Sequence, residues 1–190
     1  MRVSVWTSLC IHRKSGNVCS KKNARSLSRK CSGKGKFSTM PHEHEEEARH
    51  WLRFAADDLK AARVVLKEGL YHVTCFHAQQ SSEKALKAYL IVHRGNIPRE
   101  HHLVGLLQHA IRAGLKGRGL ERACKILDQY YLPTRYPDAL VGSLPEGLPS
   151  RTHALEAVSL AEAVFRSLQR SVQRKLQSRH SSTITIRKLF

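Results

Sequence analysis

Residues 71–93 read YHVTCFHAQQSSEKALKAYLIVH, and Arg94 and Gly95 follow. Apolar residues fall on more than one side of this run: Cys75, Phe76, Ala78, Ala85, Leu86, Tyr89, Leu90 and Val92. A helix that is apolar on several faces is packed by several neighbours, so this one belongs at the centre of a domain. Gly95 stands where such a helix stops. The polar residues gather instead of scattering. His77, Gln80, Lys84 and Lys87, spaced three, four and three, form one stripe.

Reading outward, residues 43–68 form the preceding helix. Trp51, Ala55, Leu59, Ala62 and Leu66 make a single seam, the acidic start at Glu43, Glu45, Glu46 and Glu47 suits the helix dipole, and Gly69 is the stop. On the other side a short helix is expected over 101–113, with Leu103, Leu106, Leu107, Ala110 and Ile111 inward. A fourth is expected over 120–131, with Leu120, Ala123, Cys124, Leu127 and Tyr131 in register. Residues 132–150 carry Pro133, Pro137, Pro145 and Pro149 and read as a loop. A last helix starts near Ser150 or Thr152, both good N-caps, and Ala154, Val158, Ala161, Phe165, Leu168 and Val172 form its narrow seam. Only residues 183–186 read even weakly as strand. The expected architecture is therefore all-α, with a folded domain over 43–172, a disordered basic extension over 1–39 and a basic tail over 173–190.

The net charge of +18 suggests a nucleic-acid partner until it is partitioned. Seventeen of the 33 Lys and Arg lie in residues 1–39 and 166–190, which hold no Asp or Glu, so residues 40–165 set 16 cations against all 15 acids. The domain is close to neutral and the tails carry the charge, where it supports salt-sensitive attachment to polyanions at most. Composition changes abruptly at Met40, and that methionine reads as an alternative start that would leave residues 1–39 outside the natural protein. Five cysteines (Cys10, Cys19, Cys31, Cys75 and Cys124) without close pairing argue against a disulfide framework and for a reducing, cytoplasmic setting. Cys75 and Cys124 fall at core spacing. No run approaches the roughly 18 apolar residues of a membrane span.

Two chemical motifs fail on inspection. Gly33-Lys34-Gly35-Lys36-Phe37 lacks the upstream Gly and the following Ser or Thr of a phosphate loop. The twelve histidines include the adjacent His101 and His102, whose rings on a helix point about 100° apart, and no set shows zinc spacing. Neither a metal nor another cofactor is expected.

The informative loop is Tyr130-Tyr131-Leu132-Pro133-Thr134-Arg135-Tyr136-Pro137-Asp138. Proline stiffens it. Arg135 supplies a bidentate fork, and Tyr131 and Tyr136 supply stacking faces. It can grip a planar or phosphorylated ligand. Equally, Arg135 can pair with Asp138 or Glu83 and pin the loop to the bundle. The 77–87 stripe is likewise either a groove facing Arg135 or the solvated edge of a central helix, with His77 a satisfied structural histidine rather than a general base.

These residues carry a family likeness. Phe76-His77-Ala78-Gln79-Gln80-Ser81-Ser82-Glu83-Lys84-Ala85-Leu86-Lys87, then His101-His102-Leu103-Val104-Gly105-Leu106-Leu107, then Tyr131 to Asp138, resemble in order the signature segments of the HEPN domain family. The resemblance implies an antiparallel bundle of four to five helices that is commonly a homodimer. It also implies nucleotide binding, often beside a small nucleotidyltransferase in a toxin–antitoxin-type pair. Many members resemble metal-independent ribonuclease toxins, in which an Arg and a His separated by four to six intervening residues act on the scissile phosphate. Here Tyr136 to Gly142 follow Arg135 without a His. Arg94/His101 and Arg174/His180 fit that spacing, but chance supplies a few such pairs in a chain this rich in both.

The expected function is therefore a helical module that holds a nucleotide or RNA phosphate through Arg135, Lys84 and Lys87, with His77, Gln80, Glu83, Tyr131, Tyr136 and Asp138 around them. The alternatives are an endoribonuclease built on Arg135 or on Arg94 and His101, and a protein–protein adaptor.

Overall fold

The computed structural model describes residues 41–132, 134 and 147–187, with side chains described only between 43 and 179. Within it run α1 (Pro41–Lys67), α2 (Tyr71–Arg94), α3 (Leu103–Arg112), α4 (Leu120–Asp128) and α5 (Arg151–Arg187). The described residues contain no strand. The extension before Met40, and Pro133, Pro137 and Pro145, lie outside them.

The α1–α2 hairpin follows from its punctuation. Gly69 adopts a φ of 74°, a left-handed value that a side chain resists, and the Leu70 amide reaches back to the Val65 carbonyl at 3.0 Å. The chain reverses and α2 lies against α1. Gly95, with φ 71° and its amide on the Ile91 carbonyl at 2.8 Å, ends α2 the same way.

α2 is central, as its several apolar faces require. Ala78, Ala85, Leu86, Ala88, Leu90, Ile91 and Val92 are all buried. The flanking long helices approach it through small residues, Ala48, Ala55 and Ala62 on α1 and Ala154, Ala157 and Ala161 on α5, each with no exposed surface. Short side chains let helix axes draw close, and Leu59, Val164, Leu168 and Val172 fill the space between. α3 and α4 close the remaining side with Leu103, Leu106, Leu107, Ala123 and Leu127. Burial pushes both the Cys75 and the Cys124 thiol up to about 12, with the Asp128 charge adding to the second, so both are neutral core side chains.

Four expected details differ. Ile111 is 40 % exposed rather than inward: it lies at the edge of the apolar face of α3, with its side chain against Gly117 of the following turn. α4 ends at Asp128, and a tighter turn (Tyr130 amide to Leu127 carbonyl, Tyr131 amide to Asp128 carbonyl) buries Tyr130 in place of Tyr131. α3 starts at Leu103 rather than His101. α5 continues as helix through residues 173–187, including the stretch with weak strand character. Leu176 stays buried, and Arg179 donates to the Val92 carbonyl at 2.9 Å while standing 3.9 Å from the Glu45 carboxylate. Ser150 is the cap of α5: its hydroxyl accepts from the His153 amide.

Candidate functional site

The polar stripe on α2 divides between two carboxylates. His77 Nδ1 lies 3.0 Å from Asp58 Oδ1 on α1, and Lys84 Nζ bonds the other oxygen of the same carboxylate. Two functional candidates are thereby engaged as a clasp between α1 and α2. Asp58 was missed in the sequence, although it sits three residues after Ala55, at the margin of the buried seam.

Gln80 and Lys87 belong to the second carboxylate, Glu83, which is 5 % exposed. Spacing on one helix brings Gln79, Gln80 and Lys87 to it, four and three residues before and four after. Lys87 Nζ donates to Oε1 at 2.7 Å, and the Gln79 and Gln80 amides donate to Oε2 at 3.3 and 3.2 Å. From the loop after α2, His101 places Nδ1 3.0 Å from Oε1. Burial pulls the Glu83 carboxyl upward. The hydrogen bonds from Lys87 and His101, with the Lys87 charge and the Gln79 amide, outweigh it and hold the group below its ordinary value. Lys87 itself is buried and also lies over the Trp51 ring, 5.6 Å from the centroid.

His101 is the exposed end of this network. Its side chain is 55 % accessible. A carboxylate can only accept, so Nδ1 carries the proton toward Glu83 and Nε2 is the ring atom left for a ligand. The ring lies nearly parallel to Tyr131, at an interplanar angle of 13° with centroids 6.1 Å apart, and His102 leans on the same tyrosine at 4.9 Å. The Thr134 hydroxyl donates to the Tyr130 carbonyl and holds the start of the following loop.

Two more carboxylates fix the His101–His102 segment. Glu100 Oε1 accepts from both the His101 and the His102 amide at 2.9 Å; these bonds, led by that of His102, keep its carboxyl low. Asp128 accepts from the Leu103 amide at 2.8 Å and from the Val104 amide at 3.4 Å, capping α3 from another helix. A carboxylate in the last turn of α4 opposes that helix's own dipole. This is the sequence signal that marks Asp128 as serving a different element. Asp128→Ala is expected to cost about 1–2 kcal/mol, read as a lower urea midpoint with unchanged slope.

The structure therefore brings Gln80, Glu83, Lys87, His101 and Tyr131 together, and sets His77 and Lys84 apart on Asp58. The charges of Lys84 and Lys87 are taken up by Asp58 and Glu83, so the two lysines do not present a bare cationic groove. Arg94 is exposed at the end of α2, and no hydrogen bond, ion pair or ring contact joins it to His101 among the described residues. Arg135, Tyr136 and Asp138 lie outside the described residues. No cluster of three metal-ligating side chains occurs among those described.

Comparison with known proteins identifies the fold and the family. The Methanocaldococcus jannaschii protein named Putative toxin MJ1304 is 31% identical over 137 residues, covering 67% of this chain and 90% of its own length. The crystal structure of TT1696 from Thermus thermophilus superposes with a TM-score of 0.58 at 36% identity, covering 65% of this chain and 96% of that one. The crystal structure of ST0689, described as an archaeal HEPN homologue, gives 0.52 at 27% identity over 66% and 97% of the two chains. The family model for the HEPN domain matches residues 48–171, which span α1 to α5 and contain the whole Glu83 network, and the chain belongs to that family.

Proposed function

We propose that the chain binds a phosphate-bearing ligand, a nucleotide or an RNA strand, through His101 and Tyr131 together with Arg135, Tyr136 and Asp138 of the sequence that follows. The observation that supports this most is the His101 ring, half exposed, clamped through Nδ1 by a buried carboxylate and set parallel to an aromatic face. A clamped imidazole loses little entropy when it meets a phosphate oxygen, and Tyr131 offers a stacking surface for a base. Arg135 follows Thr134 directly in the sequence and supplies the permanent charge. The M. jannaschii relative is named a toxin, which supports extending the reading to a toxin–antitoxin-type pair; a cytoplasmic homodimer with a small nucleotidyltransferase as partner is what the family resemblance adds to this proposal.

Arg135→Ala and His101→Ala are each expected to weaken binding of AMP or of single-stranded RNA by about tenfold or more, the loss of one charge-assisted hydrogen bond. Titration calorimetry on variants with wild-type circular dichroism measures it, and unchanged affinity in both rejects the site.

The same dyad favours a second reading, endoribonuclease activity. Nε2 of His101 would take the 2′-hydroxyl proton as the 2′-oxygen bonds to phosphorus, and would return it to the 5′-oxygen as the phosphorus–5′-oxygen bond breaks, while Glu83 holds the ring and Arg135 steadies the phosphorane charge. RNA left intact after hours in EDTA excludes this reading without touching the first.

A further inference from the structure

A cleft of about 480 Å³ opens where the C-terminal half of α2, the α3–α4 turn and the middle of α5 meet, and it shares no residue with the Glu83 network. Beside its apolar seam, α5 carries a second stripe. Ser167, Ser171, Arg174, Lys175 and Ser178 recur at three- and four-residue steps on one face and line the cleft, with Lys116 facing them from the turn. Among the described residues no carboxylate lines it, and none of Lys116, Arg174 and Lys175 has an ion-pair partner there. Elsewhere in the bundle the cations that meet across helices are answered by carboxylates: Lys84 by Asp58, Arg63 by Glu162, Arg179 by Glu45.

The cleft wall reports the resulting field. Tyr89 and His93 stack with centroids 4.0 Å apart and an interplanar angle of 18°. Burial, then the charges of Lys175 and Arg179, hold the His93 imidazole below its ordinary value, so the ring is neutral. Its Nε2 is closed off from solvent without a hydrogen-bond partner, which is costly for a buried polar atom. Nε of Arg174 donates to the Arg170 carbonyl at 3.3 Å, which leaves the outer nitrogens of the fork for a ligand.

We propose that this cleft is a second phosphate site, in which Lys116, Arg174 and Lys175 neutralise a phosphate group and the Ser167 and Ser171 hydroxyls donate to its oxygens. Its volume is that of a small-ligand pocket. The phosphate belongs either to a free nucleotide or to an RNA strand passing along α5, and the test separates the two sources.

Isotope-labelled full-length protein is titrated with inorganic pyrophosphate, with AMP and with a short single-stranded oligoribonucleotide. The readout is NMR at the His93 imidazole and at the Lys116, Ser167 and Ser171 amides. Saturable shifts are expected at these groups, separate from any at His101 and Tyr131, which report the site proposed above. The Arg174→Ala/Lys175→Ala double variant should weaken the Kd by about tenfold or more and lower the salt slope by about one per cation removed. Lys67→Ala, an exposed cation at the end of α1 beside the opposite end of α2, should change neither. Tightest binding by AMP assigns the site to free nucleotide, and tightest binding by the oligoribonucleotide assigns it to an RNA backbone. Shifts that never saturate or that spread over all basic residues overturn the proposal. So does an unchanged Kd in the double variant, whose fold is checked by its melting temperature.

Discussion

Lys87→Ala is expected to destabilise the protein by about 3–5 kcal/mol, measured as a drop in the urea midpoint, because it leaves a buried carboxylate without its cation. Glu83 and Lys87 are 7 % and 8 % exposed at the side chain, so water cannot replace the lost partner. The remaining donors, Gln79, Gln80 and His101, place the loss toward the lower end of that range. Glu83→Leu together with Lys87→Met removes both charges and should recover most of the loss, since two apolar side chains need no mutual neutralisation. That double variant should also free His101 and reduce ligand binding, which separates the fold-holding part of the network from its exposed end. Acid titration gives the sign independently. The Glu83 carboxyl is held below its ordinary 4.5, so its contribution is complete above that value and fades as pH falls through the lower, folded-state value. The stability gap between wild type and Glu83→Gln should therefore close on acidification and stay constant through neutrality.

Leu86→Ala is expected to cost about 3–5 kcal/mol, while Leu155→Ala stays within about 0.5 kcal/mol, by the same denaturation assay. Both are leucines in long helices. Leu86 has no exposed surface and sits mid-way along α2, with α1 and α5 on either side, so its removal leaves a cavity that three rigid helices cannot collapse. Leu155 is 45 % exposed in the first turns of α5 and leaves only solvent behind. Similar losses at the two positions would contradict the central placement of α2.

That placement was legible because it rests on local rules. Gly69 and Gly95 stop two helices, and apolar residues on several faces of 71–93 leave that helix nowhere but the middle. What stayed hidden depends on inter-helix register. Nothing in the chain says that Asp58 lies level with His77 and Lys84, so a stripe of four polar residues reads as one surface when it is two networks facing different carboxylates. The start of α3 was misplaced for the same reason. Glu100 takes the His101 and His102 amides and Asp128 takes that of Leu103, so the helix begins where a distant side chain allows it. Tyr131 fits the α4 period, but the chain tightens after Asp128 and frees that ring to lie beside His101. The polar residues of the two networks were thus recognisable by type, and their partners were fixed only by tertiary packing.

The reach of α5 bears on how the domain can be shortened. Trimming the chain just after residue 171, where the family match finishes, would preserve every matched residue. It would also delete Leu176 and the Arg179 hook that spans the end of α2 and the opening turns of α1. Such a fragment would keep its middle intact and loosen at one pole, so any minimal version of this protein must carry the helix at least to Arg179.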